Sequence, residues 1–275
     1  MQLEVINNTP AVAPNWAYIK GVAYDAFRDH CCKADWLRVR KAKLLTEPGA
    51  NTKLAKGSIP IYGLTLAPAG SSGYQLCPWR SPECEAACLG ITSGRSKFSN
   101  VREARIQKTR YLMDRPYDFF RQLYAELAAA LTKHGPSFAF RSNVLSDIPW
   151  EHIAPEIYWF SWRNYDYTKS FKRCKDLMDN PRREFILDLT LSFSGHNWDE
   201  CEQYLRMAIV GGKRGKVAVV FNVNKGDPLP EFYKGWPVID GDSHDLRIND
   251  PSGCIVGLRA KGKINRGSAF VVNNY

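Results

Sequence analysis

The sequence predicts an α/β protein whose strands form a β/α barrel or partial barrel. From residue 138 onward, short apolar runs alternate with helix-like segments, and this alternation is typical of parallel β/α units. With 275 residues, the chain is long enough to bury one large core. No fixed-period repeat or low-complexity tract interrupts the pattern. We therefore expect a single barrel-like domain over residues 59–275, preceded by an irregular N-terminal extension over residues 1–58.

The predicted elements begin with a helix at residues 24–37 and a first core strand at residues 59–68. Pro68 ends that strand, because proline lacks the N–H that a sheet ladder needs. Asn100 and Glu103 form a capping-box pattern, which predicts a helix with Asn100 as its N-cap. The later elements are predicted from apolar spacing, with helices from Pro116 and at residues 149–154, 169–180 and 197–209, and strands at residues 138–141, 157–161, 185–191, 217–223, 236–240 and 254–258.

Charge and hydropathy indicate a basic protein that does not enter a membrane. The net charge is +10, and such a surface attracts polyanions through counterion release. We therefore predict a nucleic acid or nucleotide partner, with a basic protein that has no such partner as the alternative. No apolar run approaches the roughly 20 residues of a membrane span, and the first residues lack the pattern of a signal peptide. The sequence thus predicts a cytoplasmic protein without membrane contact.

Three cysteines, Cys77, Cys84 and Cys88, lie within twelve residues after the first predicted strand. Soft thiolates at such close spacing favour a metal site. A structural zinc site normally uses four protein ligands, whereas three thiolates suit a [4Fe–4S] cluster whose fourth iron stays open. We predict a [4Fe–4S] cluster on these three cysteines. The alternatives are zinc completed by Cys31, Cys32 or a histidine, and a loop without metal.

The other five of the eight cysteines are expected to be buried apolar residues rather than ligands. Disulfides are not expected, because the predicted compartment is reducing and the cysteine spacing is uneven. The cysteine content therefore indicates metal chemistry in one loop and packing elsewhere.

Polar residues follow several of the predicted strands. The carboxyl ends of parallel strands share one edge of a sheet, so these residues are expected to converge on one mouth. Asp166, Tyr167 and Lys169 follow the strand predicted at residues 157–161, and we predict that they orient a substrate. The same segment also fits a helix entry capped by Thr168, which is the structural alternative.

Asp240 and His244 follow the strand predicted at residues 236–240. A carboxylate and an imidazole at the mouth could move protons in a general acid–base step. The segment Asp-Gly-Asp-Ser-His-Asp fits a polar turn equally well, since Asp, Gly and Ser dominate turns. Both interpretations stay open on the sequence.

Three segments carry a family resemblance. They are residues 76–90 with the three cysteines, residues 140–151 (Phe-Arg-Ser-Asn-Val-Leu-Ser-Asp-Ile-Pro-Trp-Glu) and residues 165–169 (Tyr-Asp-Tyr-Thr-Lys). Together these motifs resemble the phage gene product 88 family over about residues 43–260. The resemblance implies a bacteriophage or prophage origin, and it implies no particular activity.

The cysteine loop after a first strand is also similar to the cluster loop of radical S-adenosylmethionine enzymes, which are β/α partial barrels. This similarity implies that Cys77, Cys84 and Cys88 ligate a [4Fe–4S] cluster and that S-adenosylmethionine binds its open iron. It also implies that Asn143 and Asp147, after a later strand, lie near that cofactor. The cysteines are separated by six and three residues, wider intervals than in those enzymes, and alanine rather than an aromatic residue precedes the last one.

Together these features predict a phage-type iron–sulfur protein in the host cytoplasm. We expect a radical-S-adenosylmethionine-like enzyme that acts on a nucleotide or nucleic acid. The alternative is a non-catalytic iron–sulfur or zinc module that binds host nucleic acid or a host protein. A zinc-dependent hydrolase or deaminase ranks last, because the sequence lacks His-x-Glu and His-Glu-x-x-His elements.

Overall fold

The computed structural model describes residues 10–32, 42–49, 59–92, 94–181, 185–262 and 264–275. Within these ranges, helices pack against a central sheet. The helices are α1 (Trp16–Cys32), α2 (Pro82–Ala86), α3 (Leu89–Thr92), α4 (Ser99–Asp114), α5 (Pro116–His134), α6 (Trp150–Ile153), α7 (Phe171–Asp179) and α8 (Trp198–Val210). None of the helices in the described ranges has the length and apolar character needed to cross a bilayer.

The sheet contains ten strands in the described part of the chain. They are β1 (Leu45–Thr46), β2 (Ile61–Leu64), β3 (Ala139–Arg141), β4 (Arg163–Thr168), β5 (Leu187–Ser192), β6 (Lys216–Phe221), β7 (Phe232–Tyr233), β8 (Trp236–Asp240), β9 (Cys254–Arg259) and β10 (Val271–Val272). Their order is β1-β2-β3-β4-β5-β6-β9-β8-β7, and β10 pairs with β6.

The sheet is mostly parallel and open. Strands β2, β3, β4, β5, β6 and β9 pair in parallel in the order in which they occur along the chain. The short strands β1 and β7 form the two ends, pair antiparallel with β2 and β8, and do not pair with each other. The α/β class is therefore confirmed, and the sheet does not close into a barrel.

The two faces of the sheet are covered differently. Helices α1 and α5 contribute to a large apolar core with Tyr62 and Phe140 of β2 and β3. Helices α7 and α8 contribute to a second core with Leu189 of β5. The opposite face holds a small apolar group that includes Tyr165 and Leu246. Side chains alternate along a strand, so neighbouring residues of β4 and β5 point to different environments.

The N-terminal extension was expected to be irregular. Its described part contains α1 and β1, and the buried face of α1 joins the core through Ile19, Ala23 and Ala26. The helix predicted at residues 24–37 is α1, which begins eight residues earlier than predicted; residues 33–37 lie outside the described residues. The extension therefore packs on the main domain.

The capping-box prediction for the helix after the cysteines was wrong. Helix α4 begins at Ser99 after Phe98, which makes no side-chain cap hydrogen bond. Asn100 lies inside the first turn and accepts the Val101 N–H, and Glu103 accepts a hydrogen bond from Gln107. The two side chains thus do not make the reciprocal bonds of a capping box, and the predicted N-cap lies two residues after the observed one.

The prediction of a strand at residues 157–161 was also wrong. Residues Pro155–Tyr158 form a 3-10 helix, and the strand is β4, at Arg163–Thr168. The apolar run is buried around a helical turn, since Ile157 and Tyr158 are fully covered in the core. The true strand was hidden because its buried side chains are polar. Asp166 and Tyr167 consequently lie within β4, and only Lys169 follows it.

The isolated cysteines are mostly buried, as expected. Cys174, Cys201 and Cys254 are buried thiols, whereas Cys31 is exposed at the end of α1. The seven cysteines whose side chains the structure describes are free. Burial raises the pKa of Cys201 to about 12 and that of Cys254 to about 11, so these thiols stay protonated at neutral pH.

Candidate functional site

The three-cysteine loop follows β2 along the chain, after an intervening segment at residues 65–75. The chain leaves β2 at Leu64, turns through the segment before Cys77 and enters the short helix α2, which contains Cys84. Ser81 caps this helix by accepting the Cys84 N–H at 3.1 Å. Cys88 follows α2 and immediately precedes α3. The cysteine loop, residues 76–88, therefore starts at the carboxyl end of a parallel strand.

The cysteine loop is anchored to segments that follow two other strands. On the β3 side, the Asp147 N–H donates to the Leu76 carbonyl at 2.9 Å. On the β5 side, Ser81 Oγ donates to the Ser194 carbonyl at 3.3 Å. His196 adds a longer contact, with 3.5 Å between its Nε2 and Glu83 Oε1. The loop thus spans the carboxyl edge of the sheet from β2 to β5.

Cys77 is the most enclosed thiol of the loop. It accepts the Ala69 N–H at 3.3 Å, and its Sγ lies 3.7 Å from the Leu145 carbonyl. Ala69 has a φ of 47°, a left-handed conformation that alanine rarely adopts. Burial raises the pKa of Cys77 to about 12; Asp147 and the neighbouring thiols raise it further, while the Ala69 N–H opposes the shift. A metal at this position would have to displace the thiol proton.

Cys88 lies at the start of α3. Burial raises the pKa of this thiol, and hydrogen bonds from the Gly90 and Ile91 N–H groups oppose the shift. Gly90 has no room for a side chain, because a Cβ would lie 2.9 Å from Pro68 Cγ. The Arg105 guanidinium donates to the Gly90 carbonyl at 3.3 Å and brings positive charge to this end of the loop.

The sequence predicts two alternative kinds of metal site for these thiols. Among the residues that the structure describes, no three His, Cys, Asp or Glu side chains are grouped so that they could hold a metal ion. The [4Fe–4S] cluster and its zinc alternative therefore both stay predictions. Cysteine thiolates are the usual ligands of a [4Fe–4S] cluster, so the chemistry of the three thiols fits that group.

Asp166 and Asn143 form a buried hydrogen-bond network beside the loop that follows β3. Asp166 Oδ2 accepts from Ser142 Oγ at 2.7 Å and from Asn143 Nδ2 at 2.6 Å. Asn143 also donates to the Ile148 carbonyl, and its own oxygen accepts from Ser146 Oγ and the Ile148 N–H. Both of its donors and both of its acceptor positions are therefore used within the protein, which braces the loop.

Burial raises the pKa of Asp166 to about 7, against the opposing effects of Arg141 and of hydrogen bonds from Ser142 and Asn143. An unfolded chain has an Asp pKa of about 3.9, so the folded state binds more protons between about pH 4 and 7. Folding stability contributed by this group therefore falls as the pH rises through that window.

Asp166→Asn removes this titratable group, so the folding stability of the variant should depend on pH differently from that of the wild type. We expect the stability of the variant relative to wild type to increase between pH 5 and pH 8, because the wild type alone loses a buried proton. Urea unfolding at a series of pH values measures the difference. Parallel pH profiles for the two proteins would contradict a raised Asp166 pKa.

Sequence reasoning missed a buried ionic group centred on Arg173. Its guanidinium donates to both carboxylate oxygens of Glu151, at 2.7 and 2.8 Å, and to Asp147 and Thr168. The guanidinium also lies 5.5 Å from the ring centroid of Trp79 in the cysteine loop. Burial raises the pKa of Asp147 and the Arg173 charge lowers it. The group therefore joins α6, α7 and β4 to the cysteine loop.

Asp147 and Lys169 lie next to each other at the carboxyl edge. Asp147 Oδ2 accepts the Lys169 N–H at 2.9 Å. Lys169 Nζ lies 3.3 Å from the Phe193 carbonyl and 5.0 Å from the Phe270 ring centroid. The structure thus brings these two predicted site residues together with the cysteine loop, to which the Asp147 N–H is bonded.

Tyr167 lies on the opposite face of β4 from Asp166. Its ring is 4.9 Å from the Arg141 guanidinium carbon, and Arg141 pairs with Asp245. Tyr165, on the same face, donates its hydroxyl to Asp245 at 2.9 Å. Tyr167 is therefore directed toward the face that the segment around Asp245 covers, and not toward the helices.

Asp240 and His244 are not brought to the cysteine loop by any contact within the described residues. Asp240 pairs with Arg259 through two 3.0 Å hydrogen bonds at the ends of β8 and β9. His244 bonds to Arg247 at 3.0 Å and lies 3.7 Å from Asp250, shortly before β9 begins. The polar turn that was the alternative for this segment accounts for these contacts.

The fold and the site define an α/β protein with an open, mostly parallel sheet and a three-cysteine loop at its carboxyl edge. The chain belongs to the Gene product 88 family, which it matches over residues 36–274. No curated protein and no solved structure matches it. The resemblance to this phage family is thereby confirmed, and the similarity to radical S-adenosylmethionine enzymes stays a prediction.

Proposed function

We propose that the chain binds a [4Fe–4S] cluster through Cys77, Cys84 and Cys88 and acts as a radical-S-adenosylmethionine-like enzyme on a nucleotide or nucleic acid. The observation that carries this proposal is the position of the cysteine loop. It follows the first of six parallel strands that pair in chain order. Strands of a β/α barrel have the same order, and their sites lie at the carboxyl ends. We propose that the six strands form the wall of a partial barrel.

The surroundings of the thiols support a cluster. Cys77 and Cys88 accept backbone N–H groups, and hydrogen bonds to the ligand sulfurs tune the reduction potential of iron–sulfur centres. Cys77 and Cys88 are both partly buried, which restricts the approach of solvent to a cluster bound there. When bound, a cluster of this type supplies single electrons.

The neighbouring residues have defined tasks in this proposal. Lys169 keeps its ammonium group beside the Phe193 carbonyl and the Phe270 ring, where it can attract an anionic part of a cofactor or substrate. Asp147 fixes the Lys169 backbone and is held by Arg173. Asn143 holds the shape of the loop after β3. The +10 charge of the chain favours a phosphate-bearing substrate.

A non-catalytic metal-binding module is the second candidate. It is favoured by the hydrogen bonding of Asn143 and Asp166, whose polar atoms are engaged by protein groups. Under this alternative the cluster holds the loop together, and the basic surface binds nucleic acid or a host protein. Methionine release from S-adenosylmethionine, with dithionite as the electron source, separates the two candidates: release supports the enzyme, and its absence from cluster-loaded protein supports the module.

Single cysteine variants test the ligand assignment. We expect most of the iron and acid-labile sulfide to be lost from each of three variants, Cys77→Ala, Cys84→Ala and Cys88→Ala. The proposal needs all three thiolates to hold the cluster. Cys31→Ser is the matched control, since Cys31 is an exposed cysteine outside the loop, and it should retain both. Circular dichroism verifies that the variants fold. Unchanged iron in the loop variants would overturn the assignment.

A further inference from the structure

On the face of the sheet away from the helices, four buried side-chain atoms of β3, β4 and β5 have no hydrogen-bond partner among the described residues. They are Arg141 Nε, Tyr167 Oη, Asp188 Oδ1 and Thr190 Oγ1. Native proteins pair nearly all buried polar atoms, so each exception calls for an explanation such as a bound molecule. These four come from three consecutive strands, β3, β4 and β5.

Strand register places the four side chains on one face. Tyr167 lies opposite Thr190 in the β4–β5 ladder, and Tyr165 lies opposite Asp188. Residues paired in this way point to the same side of a sheet, and so do residues two positions apart along a strand. Arg141 reaches the same face, where its guanidinium contacts Asp245 and the Tyr167 ring. The unpartnered atoms therefore lie on one face of three neighbouring strands, and they are called here the polar group.

The polar group is covered by residues 245–250, and two of its side chains are partly exposed. Asp245 accepts from Arg141 and Tyr165, and Leu246 packs with Tyr165. Thr190 is fully buried, whereas Tyr167 is half-buried and the Arg141 side chain is 15% exposed. A small molecule therefore has to shift side chains locally to contact the four atoms, first at the partly exposed Arg141 and Tyr167 and then at Thr190.

We propose that this face binds an uncharged hydrogen-bonding ligand, the nucleoside part of a nucleotide. The set contains one pure donor on Arg141, one pure acceptor on Asp188 and two hydroxyls that do both. Positive and negative side chains are balanced here, since Arg141 pairs with Asp245 and Lys216 with Asp188. A phosphate would face these carboxylates, so it is expected to stay outside, where the chain is positive overall.

The inference that the ligand is a nucleoside rests on the substrate class of the proposed function, a nucleotide or nucleic acid. The site itself does not require the cluster. Base edges and ribose hydroxyls carry donors and acceptors together, which matches the mixed set on this face. The basic surface supplies attraction for the attached phosphates. Nucleoside binding by the Cys77→Ala variant is thus expected to be as tight as that by the wild type. This comparison separates a failure of the present inference from a failure of the cluster proposal.

Tyr167→Phe and Thr190→Val test the site, since each removes one unpartnered hydroxyl and keeps the shape of the side chain. Titration calorimetry with adenosine, guanosine, cytidine and uridine measures binding, and inorganic phosphate is the anion control. We expect at least one nucleoside to bind, each variant to weaken it about three- to tenfold, and phosphate not to compete. Thermal unfolding is expected to be unchanged or shifted upward in both variants.

Tyr158→Phe is the matched control for the tyrosine variant. Its hydroxyl is bonded to Ser142 at 2.8 Å on the helix-covered face, so its loss should lower the unfolding midpoint and leave nucleoside binding intact. The inference is overturned if no nucleoside binds, if Tyr167→Phe and Thr190→Val bind as tightly as wild type, or if phosphate competes. A fall in stability for Tyr167→Phe as large as for Tyr158→Phe would also overturn it, because that hydroxyl would then have a structural partner.

Discussion

Arg173→Met is expected to lower the free energy of unfolding by about 3–5 kcal/mol. Arg173 is 2% exposed and donates to Glu151 and Asp147, which are also buried. Methionine keeps much of the volume but leaves two carboxylates without their cation in the interior. Removing one partner of a buried ion pair costs far more than the pair contributes, because the remaining charge is poorly solvated.

Urea unfolding followed by circular dichroism measures this loss. Lys172→Met in the same helix is the control: its side chain is 82% exposed, and we expect a change below about 0.5 kcal/mol. A loss below about 1 kcal/mol for Arg173→Met would contradict the buried network. Asp147 also bonds to Leu76 in the cysteine loop, so the variant is expected to retain less iron than wild type.

Lys216→Met is expected to have a comparable effect, about 3–5 kcal/mol, on the opposite face of the sheet. Lys216 Nζ donates to Asp188 Oδ2 at 2.7 Å, and both side chains are fully buried. The substitution leaves the Asp188 carboxylate with only the more distant Arg214, 3.9 Å away. The unpaired charge, rather than the lost methylene contacts, dominates the expected cost.

A double variant distinguishes these causes. Lys216→Met with Asp188→Leu removes both charges, and apolar replacement of a whole buried pair is often close to neutral. We therefore expect the double variant to regain most of the stability lost in Lys216→Met, as measured by urea unfolding of all four proteins in the cycle. A double variant less stable than Lys216→Met would show that the aspartate is stabilised by other groups.

The fold class and most elements could be predicted, because apolar periodicity is a local property of the chain. Helices at Phe171–Asp179 and Trp198–Val210 and the strand at Cys254–Arg259 are close to their predicted positions. Strand β4 could not be predicted in this way. Its buried residues Asn164 and Asp166 bond to distant segments, at the Ile186 carbonyl and at Ser142, and a hydropathy pattern contains no information on such contacts.

The candidate site was predictable only in part. Three cysteines at close spacing are a compositional signal, and the structure places them at the carboxyl edge of the sheet. Arg173 gave no such signal, since a charged residue in a charged helix is normally exposed. The contacts of His244 with Arg247 and Asp250 depend on the path of the chain after β8, and the sequence pattern does not determine that path.

Metal analysis of the anaerobically purified wild-type chain tests the central claim most directly. Iron, acid-labile sulfide and zinc are measured per chain, with the Cys77/Cys84/Cys88→Ala triple variant as control. The account predicts about four irons and four sulfides, both absent from the triple variant, and little zinc. Stoichiometric zinc without sulfide, or iron that remains in the triple variant, would contradict it.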